Sequence, residues 1–566
     1  MIIEFLKSNI IGGLGDQVGG FIALSNKKLI GAPFNNNPTH LLESNQPIFS
    51  LIYNEGSQIF NPILFSNLFS IISVLLLLIF CFLLFKYLKV NIFVSLLLSI
   101  LFTFSPYTYL HLGVHPALMQ VWMIPAGIIL LLKSQTLKQQ IITGVFIAFA
   151  IFVSNYLGYF LLLFAGSFLL ANITIKLTFK KFTFGWFKLE LVKYLVIFGV
   201  VLLICIPTLL TYFKSSYRIT PSFDGGVSRT LEDFQNFSGR PWYLVLPPIQ
   251  NPVFGGVTKS VLNWMKSDWG YFLADDYFNN ESPEMFLGWG NILVFIFSIA
   301  YFVKRSKCQM TNDKIKTALI FGLTGFLVFL FTFPPYFDFA GHKIYTLGFI
   351  LYKLFPMFRV TQRLGIVILM CVLIVNGVFL SEIVTRYKNF KTKLLLVRLI
   401  IIGYIVFTLF EFYIPITITD VSKTPEVYTY LAQDTKKVSF NFVGETGRIG
   451  QYTGTEIIVT YPRQNSDDIF WITRHQKGLI NPRNYENDEY GFDSMEFTKW
   501  LPTQEGLEHA RSYGVSYIVF SKTDLQKEIK SDPNFVKSAD PEKFFRENLV
   551  LEKDFGDILL FTLSAR

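Results

Sequence analysis

Between residues 63 and 413 the chain is broken into apolar runs, most of them about 17 to 25 residues long, which is the length a helix needs to cross bilayer hydrocarbon. They lie near 64–86, 91–105, 117–133, 139–154, 157–175, 192–213, 287–303, 317–333, 363–382 and 394–413. The second and fourth are short for a span, and the fourth and fifth are divided only by Ser154-Asn155-Tyr156. Backbone amides in lipid must find their partners within the segment, so such a chain is expected to be mainly α-helical and polytopic, with about ten or eleven membrane helices. Composition agrees, with 52% hydrophobic residues, 16% charged residues and a mean hydropathy of +0.43.

The formal charge of +10 does not point to nucleic acid, because the basic residues punctuate the apolar runs. Lys86 and Lys89, Lys133 and Lys138, Lys176 to Lys188, Lys304 to Lys316 and Arg386 to Lys393 fall in alternate connections, all on one side of the expected helices. That side reads as cytoplasmic. Anionic membrane lipid is the natural partner of this charge, and no nucleic acid is expected. Residues 1–61, the 105–116 loop, the 214–286 loop, the 334–358 segment and everything after Glu411 then face the other side. The protein is therefore expected in the plasma membrane, with a first loop at 1–61, a transmembrane domain at 62–413 and a soluble extracytoplasmic domain at 414–566. This count leaves no helix before the first outer loop; a preceding helix absent from this chain, or a partial insertion of Met1–Ile11, is expected to account for that. Cys81, Cys205, Cys308 and Cys371 form no CxxC pair and do not cluster with histidine, which argues against a disulfide framework or a zinc site.

The first outer loop carries Gly12-Gly13-Leu14-Gly15-Asp16-Gln17, a glycine-rich turn holding one acid. Glycines permit positive φ and a close approach of backbone to a ligand, so a carboxylate can be held there at a tight turn. Taken alone this is the pattern of a helix-capping or Asx-turn aspartate; the layout of the remaining chain makes Asp16 the first candidate for chemistry. In the 105–116 loop, His111 and His115 stand four apart among tyrosines. They read as interfacial packing residues, next as a polar contact to substrate and last as metal ligands, since no third ligand accompanies them. Asn155, Tyr156 and Tyr159 sit at a helix break on the same side, where irregular backbone lines a cavity or is buried in protein.

The 214–286 loop interleaves Asp224, Arg229, Asp268, Asp275, Asp276 and Glu284 with Trp242, Tyr243, Trp264 and Trp269. Aromatic faces and carboxylates suit a sugar; the same residues equally make an ordered loop anchored at the membrane surface. Asp275-Asp276 could bind a divalent cation or be simply solvated. Arg359 and Arg363, four apart at the outer mouth of a helix, would share a face and clamp a phosphate, or snorkel to headgroups. The tail alternates helical pattern at 425–433 and 504–513 with strand pattern at 438–442, 456–461, 515–520, 549–552 and 558–563. An α/β or α+β domain is expected, without a nucleotide or hydrolase motif.

Several of these segments, in this order, resemble the GT-C superfamily of membrane glycosyltransferases, and within it the bacterial group that includes YfhO-like proteins. They are Gly15-Asp16-Gln17, Gly31-Ala-Pro-Phe-Asn35, Ser282-Pro-Glu-Met-Phe-Leu-Gly-Trp289, Phe358-Arg-Val-Thr-Gln-Arg363, Pro425-Glu-Val-Tyr-Thr-Tyr-Leu431 and Tyr513-Gly-Val-Ser-Tyr-Ile-Val519. The resemblance implies a GT-C-like helical bundle and a sugar donor on polyprenyl phosphate, transferring outside the cytoplasm to a glycan, lipid or protein acceptor. It implies that Asp16 takes the acceptor proton or holds a divalent cation, Mg or Mn, that does so. The leaving phosphate needs positive charge, for which Arg359 and Arg363 are the candidates. His111, His115, Tyr156, Asp224, Arg229, Trp242, Asp275 and Asp276 are candidate contacts to donor or acceptor. A transporter or flippase of lipid-linked sugars, and a noncatalytic envelope assembly protein, are the competing classes.

Overall fold

A computed structural model describes residues 2–12, 29, 46–216, 231–268, 282–306, 313–339, 342–355, 358–433, 436–462, 466–481, 486–487, 491–493, 500–531 and 540–563. Among the described residues seven helices are long and apolar enough to cross a membrane: Pro62–Tyr87, Asn155–Thr178, Phe184–Pro207, Ser282–Arg305, Asp313–Thr332, Thr361–Arg386 and Lys391–Phe412. Three shorter apolar helices, Ile92–Thr103, Met123–Lys133 and Leu137–Val153, occupy the second, third and fourth expected crossings. Their starts and stops follow from side chains. Asn61 accepts bonds from the amides of Ile63 and Leu64, Asn91 accepts from Phe93, and Thr136 with Gln139 forms a reciprocal capping box.

The third crossing departs from the expectation by becoming helical only at Met123. Residues 112–122 fold instead as turns, whose stability comes from a buried polar knot. Gln120 donates to Ser73 Oγ at 2.7 Å and to the Pro116 carbonyl at 3.1 Å, while the Trp122 indole donates to Gln120 Oε1 at 2.9 Å. Irregular backbone inside a bundle persists only where its polar groups are supplied in this way.

The helix running to Arg386 is the axis of the bundle, with 94% of its apolar window buried. Apolar residues surround it on all sides, as the interior position of a helix demands. Its neighbours approach closely at glycines: a Cβ on Gly325 would lie 2.9 Å from that of Cys371, and one on Gly377 would lie 2.9 Å from Leu98. Some polar groups inside the bundle pair across helices, Tyr404 donating to Asn291 Oδ1 and Asn376 donating to the Asn291 carbonyl. Glu411, fully buried at the end of the last membrane helix, accepts from the amides of Trp289 and Gly290 and so caps another helix.

The C-terminal domain begins where that last helix ends. Strands Val550–Asp554, Ile558–Thr562, Val515–Ser521, Ile457–Tyr461 and Gly478–Leu479 lie side by side in that order as a mixed sheet. Val515–Ser521 runs parallel to Ile457–Tyr461 and antiparallel to Ile558–Thr562. Alternation sends Ile458, Val519 and Leu560 into the core that continues into the membrane helices. Val459, Ile518, Phe520 and Phe561 enter a second core on the opposite face. A separate hairpin pairs Lys437–Val443 with Ile449–Thr455. All five segments expected as strands are strands; the two-residue strand Gly478–Leu479 has too little sequence to show a period.

The edge of the sheet holds a buried ion pair. Lys477 Nζ, 1% exposed, lies 2.7 Å from Glu456 Oε2. Beside it His475, buried and stacked on Tyr428, accepts the Lys477 amide on Nδ1 at 3.0 Å. Glu456→Ala leaves a buried ammonium uncompensated and is expected to destabilise this domain by about 3–5 kcal/mol, whereas Glu456→Leu with Lys477→Met recovers most of the loss. Denaturant unfolding of the three proteins checks this, and equal loss in single and double variants contradicts it. Burial, and then the neighbouring Lys477, lower the His475 pKa from 6.5 to about 3. The unfolded chain therefore binds more protons between those values, and stability rises with pH across that window, being lost as pH falls through it, by up to about 1.4 kcal/mol per pH unit. Hydrogen exchange of the Ile457–Tyr461 amides, corrected for its intrinsic pH dependence, should show this slope in the wild type and a shallower one in His475→Gln.

Candidate functional site

Three short segments meet at the end of the bundle that carries the C-terminal domain. Pro106–His111 is a single helical turn or so, and Ser282–Met285 and Thr361–Leu364 are 3-10 turns that each lead into a membrane helix. A proline at the second position of the first of these 3-10 turns, Pro283, suits a helix start, where no amide proton is required. The second turn is tied down by Thr361 Oγ1 donating to the Thr332 carbonyl at 2.8 Å. The two turns touch through Gly365: a Cβ there would lie 2.5 Å from the Glu284 carbonyl oxygen. Only a glycine lets the axial helix begin this close to the backbone of Glu284.

The contact buries a carboxylate. The Glu284 side chain has no exposed surface, and its Oε1 lies 2.8 Å from Nε2 of His111, itself 1% exposed. The other ring nitrogen of His111, Nδ1, is 3.0 Å from His115 Nδ1, so one of these two nitrogens donates to the other. Tyr107 closes on the edge of the His111 ring, with centroids 4.4 Å apart. From the other side the Arg363 guanidinium, 7% exposed, acts electrostatically on Glu284 and lies over the Tyr156 ring at 4.8 Å. Phe358 stacks on Tyr159 at 4.2 Å and meets Tyr156 edge-on, walling this side with aromatics.

Of the residues expected at a site, His111, His115, Tyr156 and Arg363 are thus brought together. Arg359 is nearby in sequence but faces elsewhere, over the Phe237 ring at 4.6 Å. The two arginines do not share a helical face, because residues 358–360 are not helical and the helix proper starts at Gly365. Trp242 lies on the turn Pro241–Leu244, which packs against the Ser282–Met285 turn. Arg240, which opens that turn, is buried and donates to the carbonyls of Ser238 and Gln235. Asp16, Asp224, Arg229, Asp275 and Asp276 lie outside the described residues. Among the described residues no three acidic, histidine or cysteine side chains form a metal-holding group. His111 turns one nitrogen to each neighbour, so the histidines and Glu284 do not converge on a common point.

Gly12, at the start of the glycine-rich segment, is anchored next to this cluster. Strand Asn9–Ile11 pairs antiparallel with Ile418–Asp420, and the Gly12 amide donates to the Thr417 carbonyl at 2.7 Å. Asn67, 1% exposed, holds the strand from the membrane side, accepting from the Ile11 amide and donating to the carbonyls of Leu6 and Asn9. Gly12 and Gly113 both have positive φ and press backbone to backbone; a Cβ on Gly12 would lie 2.2 Å from the Leu112 carbonyl oxygen. Gly113 stands midway between the two histidines in sequence. Glu284 is the residue that sequence reasoning passed over as one acid among many in a polar loop. The available signal was its place, at the mouth of an apolar run, where an ionisable side chain is expensive.

By fold the chain is similar to the oligosaccharyltransferase of Archaeoglobus fulgidus in complex with Zn and sulfate, with a TM-score of 0.50 and 11% identity over 93% of this chain. This chain spans 66% of that protein's length. A second structure, the archaeal oligosaccharyltransferase AglB from the same organism with an inhibitory peptide and a dolichol-phosphate, aligns at TM-score 0.46 and 11% identity over 93% of this chain and 68% of that one. ArnT from Cupriavidus metallidurans bound to undecaprenyl phosphate aligns at TM-score 0.41 and 10% identity over 100% of this chain and 96% of that one. At such identities the likeness concerns the fold, a GT-C-like helical bundle followed by a strand-containing domain. No curated protein matches the chain in sequence. A family model described as a domain of unknown function, DUF6311, matches residues 44–404, and the chain belongs to that family.

Proposed function

We propose that this protein is an integral membrane glycosyltransferase that moves a sugar from a polyprenyl-phosphate donor to a glycan, lipid or protein acceptor on the extracytoplasmic face. The observation that carries the reading is the meeting of Arg363, Glu284 and the two histidines beside the anchored start of the glycine-rich turn. Asp16 follows Gly12 by four residues, a reach of at most about 14 Å of extended chain. The orientation follows from the alternate basic connections, which leave this end of the bundle and the domains at 1–61 and 414–566 on the non-cytoplasmic side. Membership of the YfhO-like group within the GT-C enzymes rests on the order of the segments from Gly15 to Val519.

The chemistry divides as follows. The acceptor hydroxyl loses its proton to Asp16 as its oxygen bonds to the anomeric carbon. The bond from that carbon to the phosphate oxygen breaks with its electron pair going to phosphate, and the configuration inverts. Charge accumulates on the departing phosphate, where Arg363 opposes it. The aromatic wall of Tyr156, Tyr159 and Phe358 excludes water, and the prenyl chain lies in an apolar groove between helices.

Transfer of labelled sugar from a panel of polyprenyl-phosphate donors, by purified protein in lipid, tests the reading. Asp16→Asn is expected to lower transfer about 10²- to 10⁴-fold with donor binding retained. Arg363→Gln is expected to lower it about 10²-fold or more. Donor binding without transfer in the wild type would put the transporter or noncatalytic reading in its place.

A further inference from the structure

Arg363 by itself gives the site little positive potential, because the carboxylate it faces is buried with it. Arg363 acts electrostatically on Glu284, and an ionised Glu284 would cancel its charge. An anionic phosphate then meets a site whose cation is already compensated in a medium of low dielectric, where net charge decides binding. The two histidines supply what is missing. With Glu284 ionised, the proton of neutral His111 belongs on Nε2, 2.8 Å from Oε1, so that His111 accepts at Nδ1 and His115 donates through its own Nδ1. This chain of contacts, from half-buried His115 to fully buried Glu284, can take one proton and spread the resulting charge toward the carboxylate.

We propose that the His111–His115 pair is a proton-dependent cation of the phosphate site: it takes up one proton from solvent as the phosphate binds, and Glu284 holds that charge in place. The inference deepens the donor reading above and rests on it. No bond other than N–H forms, and solvent supplies the proton. Once the sugar leaves, the phosphate carries a second negative charge, and the protonated pair opposes it together with Arg363. The groups that face the pair are Glu284, Arg363 behind it, and Tyr107 on the same helix. Tyr243 faces the turn of Glu284 from Pro241–Leu244, with Arg240 acting on Tyr243, and strand Asn9–Ile11 brings no titratable side chain.

The test is calorimetric binding of a polyprenyl phosphate to the full chain in nanodiscs, in two buffers of different ionisation enthalpy, with the unphosphorylated prenol as control. The wild type is expected to take up close to one proton per phosphate bound and to bind up to about tenfold more tightly per unit fall in pH above the histidine range. His115→Gln, at the half-buried end of the chain, should lose both the uptake and the pH dependence. Glu284→Gln, which frees Arg363, should bind the phosphate at least about threefold more tightly at pH 8. Phosphate binding with no proton uptake in the wild type, or unchanged uptake in His115→Gln, overturns the proposal and leaves the donor reading standing. Equal affinity for phosphate and prenol overturns the donor reading, and this proposal with it.

Discussion

A carboxylate with no exposed atom, Glu284, sets the terms for the whole end of the bundle that carries the C-terminal domain. An unpaired charge there would cost several kcal/mol, so the surrounding elements are arranged to meet it. His111 comes from a short helix of one loop and Arg363 from the turn that opens the axial helix, two segments some 250 residues apart in sequence. Gly365 lets the axial helix start against the Glu284 backbone, and the aromatic rings of Tyr107 and Tyr156 fill the space around the polar contacts. The cluster is thus both a structural junction and the place where a charged ligand would be felt most strongly.

Around that junction the chain is joined by side chains that reach across long distances in sequence. Asn67 clamps the amino-terminal strand, the strand pairs with the first strand after the membrane helices, and Glu411 caps the helix that follows Glu284. Asn251 adds another such link, donating to the carbonyls of Phe410 and Tyr413 and capping its own loop through the amides of Val253 and Phe254. Each of these residues satisfies backbone groups that neither lipid nor an isolated loop could satisfy. Their common effect is to hold the loop ends in fixed relation, which a reaction or binding event at this end requires.

The alternative classes differ in what they ask of the same cluster. A transporter needs its charged groups to change partners between two states, while an enzyme needs them preorganised. Glycines pressed backbone to backbone at Gly12 and Gly113, and helix starts tied to carbonyls at Thr332, describe a fixed arrangement. The closing of the aromatic wall by Tyr159 and Phe358 points the same way.

Hydropathy alone made the helices legible, because a segment in lipid has to satisfy its own backbone and must be apolar for the full thickness it crosses. The strands of the tail were legible for a similar reason, their alternation recording which face meets a core. His111, His115, Tyr156 and Arg363 stood out as polar or aromatic residues at the mouths of apolar runs. What the sequence could not express is partnership. Nothing local relates His111 to Glu284, or shows that Arg359 and Arg363 part company because the helix begins only at Gly365. Nor does hydropathy tell which apolar run becomes the axis, since Pro62–Tyr87 is more apolar than Thr361–Arg386, which is interior only because its neighbours surround it. Local periodicity thus determined the elements and the charge bias their expected orientation. The cluster exists only through tertiary packing, because a buried charge is tolerable solely where distant segments bring it a partner.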